Sequence, residues 1–235
     1  MNTRINKFGF EIEGEFYQDI INSLEEDGEI KTDGSIHRCP KHTDNFNLLE
    51  FASYPYKRTQ KQKAKKIFEI LHKAYKEKKF HFNKSMGFHI HISFKPILPF
   101  EIFSEEFVKF FNEELKKKYL SVFKRRGNNH FCMAENQSNE QIIEYRQYDE
   151  RYRSVNLYPA FKRHKTIEIR IFPSDRPLKM YKYLLFSLRT IRKFLKQNKS
   201  FTKTFDQEWD EKKTLSKDWN FLTRIPLKEE VEYKF

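Results

Sequence analysis

Four stretches of alternating sequence place acidic, histidine or arginine side chains on one phase and apolar side chains on the other. The polar phases carry Glu11, Glu13 and Glu15 in the first stretch, Glu50 in the second, His89 and His91 in the third, and Glu168 with Arg170 in the last. Carboxylate oxygens are the ligands of hard divalent cations such as Mg²⁺, and Mn²⁺ also accepts imidazole nitrogen. Arg170 shares the phase of Glu168 and can offer a planar fork to a phosphoryl oxygen. The pattern predicts a metal cluster that clamps a polyphosphate.

A simpler explanation for any one of these strands is an antiparallel sheet with one solvated face. A solvated strand in a lysine-rich chain should carry Lys, Thr and Ser, whereas Glu is depleted from strands. The same departure in four strands favours a shared site. Closely packed carboxylates would also raise one another's pKa unless a cation lies between them.

The elements that must position these side chains are strands alternating with amphipathic helices. Period-two alternation predicts strands over residues 8–16, 47–53, 87–94, 151–157 and 166–172. Helical spacing of apolar residues predicts helices over 60–79, 101–123 and 180–195. Residues 125–150 are poor in apolar side chains and are expected to form a long loop or a broken helix. The fold class is therefore α+β.

Length and composition indicate one catalytic domain over residues 1–199, with residues 200–235 as an extension that packs on it through Trp209 and Trp219. The chain has 235 residues and needs no disulfide or metal for stability. Cys39 and Cys132 lack a CxxC spacing and are expected to be free thiols. The sequence contains neither an apolar run long enough to span a bilayer nor a secretory signal at its start, so a cytoplasmic protein without a membrane partner is expected.

The formal net charge of +13 makes nucleic-acid binding an alternative function. The lysine runs fall on helical faces, where solvated charge is the simpler interpretation. A nucleic-acid-binding sheet would interleave exposed aromatic and basic residues, whereas the aromatic residues here occupy the apolar phase. Nucleic acid is therefore not the expected partner, and a nucleic-acid-binding module stays an alternative.

Six segments resemble, in order, the motif series of the amidoligase family, whose members are similar to the catalytic domains of glutamine synthetase and glutamate-cysteine ligase. They span about residues 8–175 and read GFEIEGEF (9–16), DGSI (33–36), LEFASYP (49–55), GFHIHIS (87–93), RYRSVNL (151–157) and TIEIRIFPS (166–174). The ordered series is far more specific than an isolated ExE or HxH. The resemblance implies a curved, mainly antiparallel sheet forming a half-barrel, with helices on its outer face.

The resemblance also implies a function: an ATP-dependent carbon–nitrogen ligase that phosphorylates a carboxylate and joins it to an amine through an acyl phosphate. Its cofactors would be ATP and Mg²⁺ or Mn²⁺, and its partners small-molecule or peptide carboxylates and amines. The implied metal ligands are Glu11, Glu13, Glu50, Glu168 and one of His89 and His91. Arg170, Glu13 and Arg151 are the implied catalytic residues, and Arg170, Arg151, Asn156 and Ser93 are the implied nucleotide contacts.

Two departures from the family pattern concern substrate contacts rather than metal binding. Phe51-Ala52-Ser53 replaces a common Val-Ser pair after Glu50, and Ser174-Asp175 stands where a Gly-Thr pair often follows. A second enzyme class is suggested by His91-Ile92-Ser93, which resembles half of the two-histidine phosphoesterase signature. That signature needs a second HxT or HxS, and it leaves the carboxylates on the other strands unexplained.

Other residues have simpler interpretations. Glu15 lies near a strand end and is expected at the surface. His37, Cys39 and His42 are close together but lack a fourth zinc ligand. Asp33 belongs first to the turn signal Asp33-Gly34-Ser35.

Overall fold

The computed structural model describes residues 4–32, 46–95, 102, 104–134, 138, 141, 152–161 and 166–198. Several predictions made above lie outside these residues and concern Arg151, the turn at 33–35, the group His37, Cys39 and His42, and residues 200–235 with Trp209 and Trp219.

Within the described residues the chain forms eight strands and four helices. The strands are β1 (Arg4–Phe16), β2 (Gly28–Lys31), β3 (Asn47–Ser53), β4 (Tyr56–Lys57), β5 (Phe80–His81), β6 (Gly87–Lys95), β7 (Val155–Asn156) and β8 (Ile167–Pro173). The helices are α1 (Gln18–Leu24), α2 (Lys61–Lys76), α3 (Glu105–Arg126) and α4 (Pro177–Gln197). Two 3-10 turns cover His130–Cys132 and Tyr158–Phe161. No described helix is both long enough and apolar enough to cross a membrane.

The strands form one open sheet with the order β2-β3-β1-β6-β8-β7, and β4 and β5 pair with β1 in addition. Every strand pair of this sheet is antiparallel. The predicted α+β class with a mainly antiparallel sheet is therefore confirmed. The two strands at the centre of the order, β1 and β6, are also the two longest.

The apolar phases of the strands form the core, with the long helices packed against them. The buried side chains of the central strands are Phe8, Phe10, Ile12 and Phe16 in β1 and Phe88, Ile90, Ile92 and Phe94 in β6. Phe10 contacts Phe68 of α2 at a centroid distance of 4.7 Å, and Phe172 of β8 stacks on Tyr183 of α4 at 4.5 Å. Because this face is covered by helices, the opposite polar face is left to carry the site.

β1 begins four residues earlier than the predicted start at residue 8. Ile5 is buried like Phe8, although the two residues have opposite parity. The pairing with β6 shifts register between them, and such an irregularity changes the phase of the strand. The apolar–polar alternation that begins at Phe8 therefore does not extend to the residues before it, and it could not predict the true start of β1.

The predicted strand over 151–157 is mostly wrong. Only Val155–Asn156 is a strand in the described part of this segment, and a 3-10 turn follows it. Residue 153 makes an isolated parallel bridge with Met133 instead of continuing the ladder to β8. The sequence predictions also missed α1, β2, β4 and β5, which have seven, four, two and two residues.

Candidate metal centre

Strand register brings the polar phases of β1, β3, β6, β7 and β8 together. Glu13 lies directly opposite Glu50 on β3, and Glu11 lies opposite His89 on β6. His91 lies opposite Glu168 on β8, which in turn lies opposite Asn156 on β7. Side chains opposite each other on one face have Cβ atoms about 5 Å apart. The four strands predicted to share a site, β1, β3, β6 and β8, therefore bring their polar faces together, and β7 adds Asn156.

One carboxylate, Glu11, contacts both histidines. Its Oε2 atom lies 3.3 Å from His89 Nδ1 and 3.2 Å from His91 Nε2. His89 Nδ1 is also 3.5 Å from Glu168 Oε1, and His89 Nε2 is 3.6 Å from Glu13 Oε1. His89 is thus surrounded by three carboxylates, and Glu11 connects the two imidazoles.

In the part of the chain that the structure describes, two groups of ligand atoms are close enough to hold a metal ion, and both include Glu11. One consists of Glu11, Glu50 and His89, and the other of Glu11, His91 and Glu168; the ligand atoms of each group lie within 4.8 Å of one another. The resemblance implied one histidine ligand, whereas the geometry gives each histidine a place in one group. A carboxylate common to both groups is an arrangement suited to two neighbouring cations.

Glu168 is held by two donors besides its place in the second group. Arg170 Nη1 donates to Glu168 Oε1 at 2.6 Å, and Asn156 Nδ2 donates to Glu168 Oε2 at 2.7 Å. Both contacts are charge-assisted and orient the carboxylate. Arg170 Nε is buried and has no hydrogen-bond partner among the described residues, so this guanidinium retains a donor.

Glu13 is fixed by the backbone at the start of β6. Gly87 N donates to Glu13 Oε2, and the Ser174 hydroxyl lies 2.7 Å from Glu13 O and 2.8 Å from Gly87 O. A Cβ atom on Gly87 would lie 2.5 Å from His89 Nε2 and 3.4 Å from Glu13 Oε1. Glycine is therefore required here by the close approach of the imidazole.

Glu11 and Glu50 have pKa values that are shifted in opposite directions. Burial raises the pKa of Glu11, but the positive charges of His91 and His89 and the hydrogen-bond contact with His89 outweigh burial and hold the pKa well below its usual range. Burial and the negative charge of Glu11 raise the pKa of Glu50 to about 7. With this pKa, Glu50 is protonated in about half of the molecules at neutral pH, and a cation would displace that proton.

The pKa of His91 and the hydrogen bonding of its Nε2 atom bear on whether the site fits a metal ion. Burial lowers its pKa, but the charges of Glu11, Glu168 and Glu50 outweigh burial and raise the pKa to about 9. Its Nε2 atom is buried and makes no hydrogen bond of acceptable geometry, although Glu11 Oε2 is near. Carboxylate oxygens and imidazole nitrogens are ligands for Mg²⁺ or Mn²⁺, so this set of residues fits a divalent cation.

Two further residues of the sequence predictions are Ser93, an implied nucleotide contact, and Glu15, which was expected at the surface. Ser93 makes its hydrogen bonds with the main chain of Lys7, at 3.2 and 3.4 Å, within the β1–β6 ladder. Glu15 was expected at the surface, and this was wrong because it is completely buried. β3 and β5 pair with β1 on either side of Glu15 and cover the strand end.

Two residues of the site were not assigned a role from the sequence. Gly87 is the first residue of the segment GFHIHIS, and a glycine at that place is a usable signal for close approach. Ser174 was noted only as a departure from the family pattern, and no spacing rule connects it to Glu13. Both contribute main-chain or hydroxyl contacts that a pattern of ligand types does not reveal.

Comparison with family models, with curated proteins and with solved structures finds no match for this chain.

Proposed function

We propose that this chain is an ATP-dependent carboxylate–amine ligase that requires Mg²⁺ or Mn²⁺. The supporting observation is that Glu11 belongs to two ligand groups while Arg170 Nε, beside Glu168, has no hydrogen-bond partner among the described residues. Two adjacent cations, if bound there, together with this guanidinium donor would suit a polyphosphate, because phosphoryl transfer is catalysed largely by positioning and charge stabilisation. The six ordered motifs resembling the amidoligase family point to the same chemistry.

The proposed reaction has two steps. A substrate carboxylate oxygen attacks the terminal phosphorus of ATP, forming an acyl phosphate as the bond to ADP breaks. An amine then attacks the acyl carbon, loses a proton to the surrounding solvent or a nearby base, and displaces inorganic phosphate to leave an amide. The divalent cations, when bound, neutralise charge on the phosphates.

The residues of this chain would have separate roles in that reaction. Glu11, Glu50, His89, His91 and Glu168 would hold the cations, and Arg170 would donate to the transferring phosphoryl group. Asn156 and Arg170 hold Glu168 in place by their hydrogen bonds. Glu13 would complete the carboxylate set, because it lies opposite Glu50 and beside His89. A half-barrel like that of the glutamine synthetase catalytic domain is the arrangement we propose for the sheet.

The first experiment measures ATP binding to the full chain by calorimetry, with Mg²⁺, with Mn²⁺ and with EDTA. Binding is expected only with the divalent cations, because carboxylates need a cation between them and the phosphates. Equal ATP affinity in EDTA would contradict the proposal and favour a simple basic groove.

The second experiment measures ADP release over a panel of carboxylate and amine pairs, followed by two variants of the productive pair. Glu168→Gln should weaken metal-dependent ATP binding, since a neutral amide is a poorer ligand for a hard cation. Arg170→Lys should still bind ATP, because the substitution keeps the positive charge. It should lower turnover by about 100-fold or more, because lysine lacks the planar, bidentate guanidinium group. The exposed Glu26→Gln is the matched control. Near wild-type turnover of Arg170→Lys would make Arg170 a structural partner of Glu168 alone.

A further inference from the structure

Three aromatic side chains form a partly exposed cluster beside β7. They are His130, Phe131 and Tyr152, and the centroids of contacting rings lie 5.4 to 5.6 Å apart. His130 and Phe131 are exposed, whereas Tyr152 is half-buried. Phe131 is 54% exposed, the highest value among the large apolar side chains of the described residues. A single exposed apolar residue is common, but exposed rings that pack into a cluster are typical of a binding surface.

The turn that presents Phe131 is anchored by hydrogen bonds of its own residues. Asn129 Oδ1 accepts a hydrogen bond from Phe131 N at 2.9 Å. The next residue, Cys132, is completely buried and donates its thiol hydrogen to Arg126 O at 3.2 Å. Because the backbone of Phe131 is held in this way, a ligand that binds the ring has less backbone freedom to remove.

Main-chain hydrogen bonds connect this turn to the metal-binding strand β8. Met133 N donates to Tyr152 O at 3.1 Å, Ser154 N to Met133 O at 2.8 Å, and Arg170 N to Ser154 O at 2.9 Å. Two steps of this ladder, at about 4.8 Å each, separate Met133 from the backbone of Arg170 by about 10 Å. That separation is comparable with the reach of a nucleoside triphosphate from its terminal phosphate to its base.

The electrostatics of Cys132 agree with this proximity. Burial raises the pKa of its thiol, and the positive charges of Arg126 and Arg170 oppose the rise. The charge of Arg170 is therefore felt at the residue that follows Phe131.

We propose that His130, Phe131 and Tyr152 form the platform on which the base of a nucleoside triphosphate stacks. This inference rests on the proposed function, because it places the base of the nucleotide whose phosphates the metal centre would hold. Every nucleobase has a π-face, so an aromatic platform gives affinity with little discrimination between bases. The bound nucleotide would then extend from this platform at β7 to Arg170 on β8.

The test compares ATP, GTP and inorganic tripolyphosphate by calorimetry in Mg²⁺, with the full-length chain and three variants. Phe131→Ala should bind both nucleotides about 10-fold to 100-fold more weakly and tripolyphosphate as tightly as the wild type, because only the stacking contact is lost. Phe131→Tyr keeps the ring and should bind all three ligands like the wild type. Leu120→Ala removes another exposed apolar side chain, 49% exposed, and should change none of the affinities.

The outcomes separate this inference from the proposed function. Wild-type protein that fails to bind ATP with either cation overturns both. Wild-type binding together with a Phe131→Ala affinity within twofold of it overturns the platform alone. Equal weakening of nucleotides and tripolyphosphate also overturns the platform, since it places Phe131 in the phosphate-binding structure; thermal unfolding of each variant confirms that it is folded.

Discussion

Gly87 connects the backbone of β6 to the geometry of the metal centre. A Cβ atom there would lie 2.5 Å from His89 Nε2, so Gly87→Ala must displace the imidazole. We expect Gly87→Ala to weaken Mn²⁺ binding by about tenfold or more, as disturbed orienting contacts do at other metal sites. Calorimetry with the metal alone measures this directly.

Gly9 offers a matched control on the same face of the sheet. It lies opposite His91, and a Cβ atom there would meet nothing closer than Ser53 Oγ at 3.5 Å. Gly9→Ala should therefore keep wild-type Mn²⁺ affinity. Equal effects of the two substitutions would mean that strand flexibility, rather than the position of His89, controls binding.

At the level of elements, β8 depends on α4 for its position. Phe172 is completely buried and stacks on Tyr183, whose ring lies 4.5 Å away in α4. Phe172→Ala should lower the free energy of unfolding by about 3 to 5 kcal/mol, the usual cost of removing a buried phenyl ring. Urea denaturation measures the change.

The exposed Phe131→Ala provides the comparison for that measurement. It removes the same side chain from a site that is 54% exposed and should change stability by about 0.5 kcal/mol or less. If Phe172→Ala were equally mild, the β8–α4 contact would not be what holds Glu168 and Arg170 in place.

The elements predicted well from sequence are those with a long, uninterrupted period. The alternation in β1 and β6 and the apolar spacing in α2 and α4 each persist over many residues, and each of these elements is present. α1 and β4 are too short for a period to emerge. The segment before Phe8 carries a register shift, which breaks the phase on which such predictions depend.

The candidate site was predictable as a set of ligand types but not as an arrangement. Alternation indicates that Glu11, His89 and Glu168 share a polar face, because parity fixes the face of each strand. It does not indicate which residues lie opposite one another, since register depends on pairing between distant strands. The burial of Glu15 and the contact of Ser174 with Glu13 follow from that pairing.

At the level of the whole molecule, the metal-free protein should lose stability as pH rises from about 4.5 to 9. The pKa of Glu50 is raised from 4.5 to about 7, so the stability that its proton provides is lost through that interval. The pKa of His91 is raised from 6.5 to about 9, so its contribution is complete below pH 6.5 and is lost as pH rises to 9.

Because a cation replaces these protons, metal binding should tighten as pH rises. We expect saturating Mn²⁺ to raise Tm by about 5 to 10 °C at pH 8 and by clearly less at pH 6. Thermal unfolding in Mn²⁺ and in EDTA at both pH values measures the difference, with KCl at equal ionic strength as the control. If Mn²⁺ raised Tm by the same amount at both pH values, neither Glu50 nor His91 would lose a proton when Mn²⁺ binds.

The order of the strands in the sheet also has a consequence for synthesis on the ribosome. β6 lies between β1, which precedes it in the chain, and β8, which begins about seventy residues after β6 ends. At a translation rate of about 5 to 20 residues per second, β8 is synthesised several seconds after β6. Until then, the edge of β6 that pairs with β8 has no partner strand. During that interval the emerging chain presents an unpaired strand bearing Phe88, Ile90 and Ile92, a state in which chaperone binding competes with aggregation. The second ligand group, which needs Glu168, can assemble only after translation has passed β8.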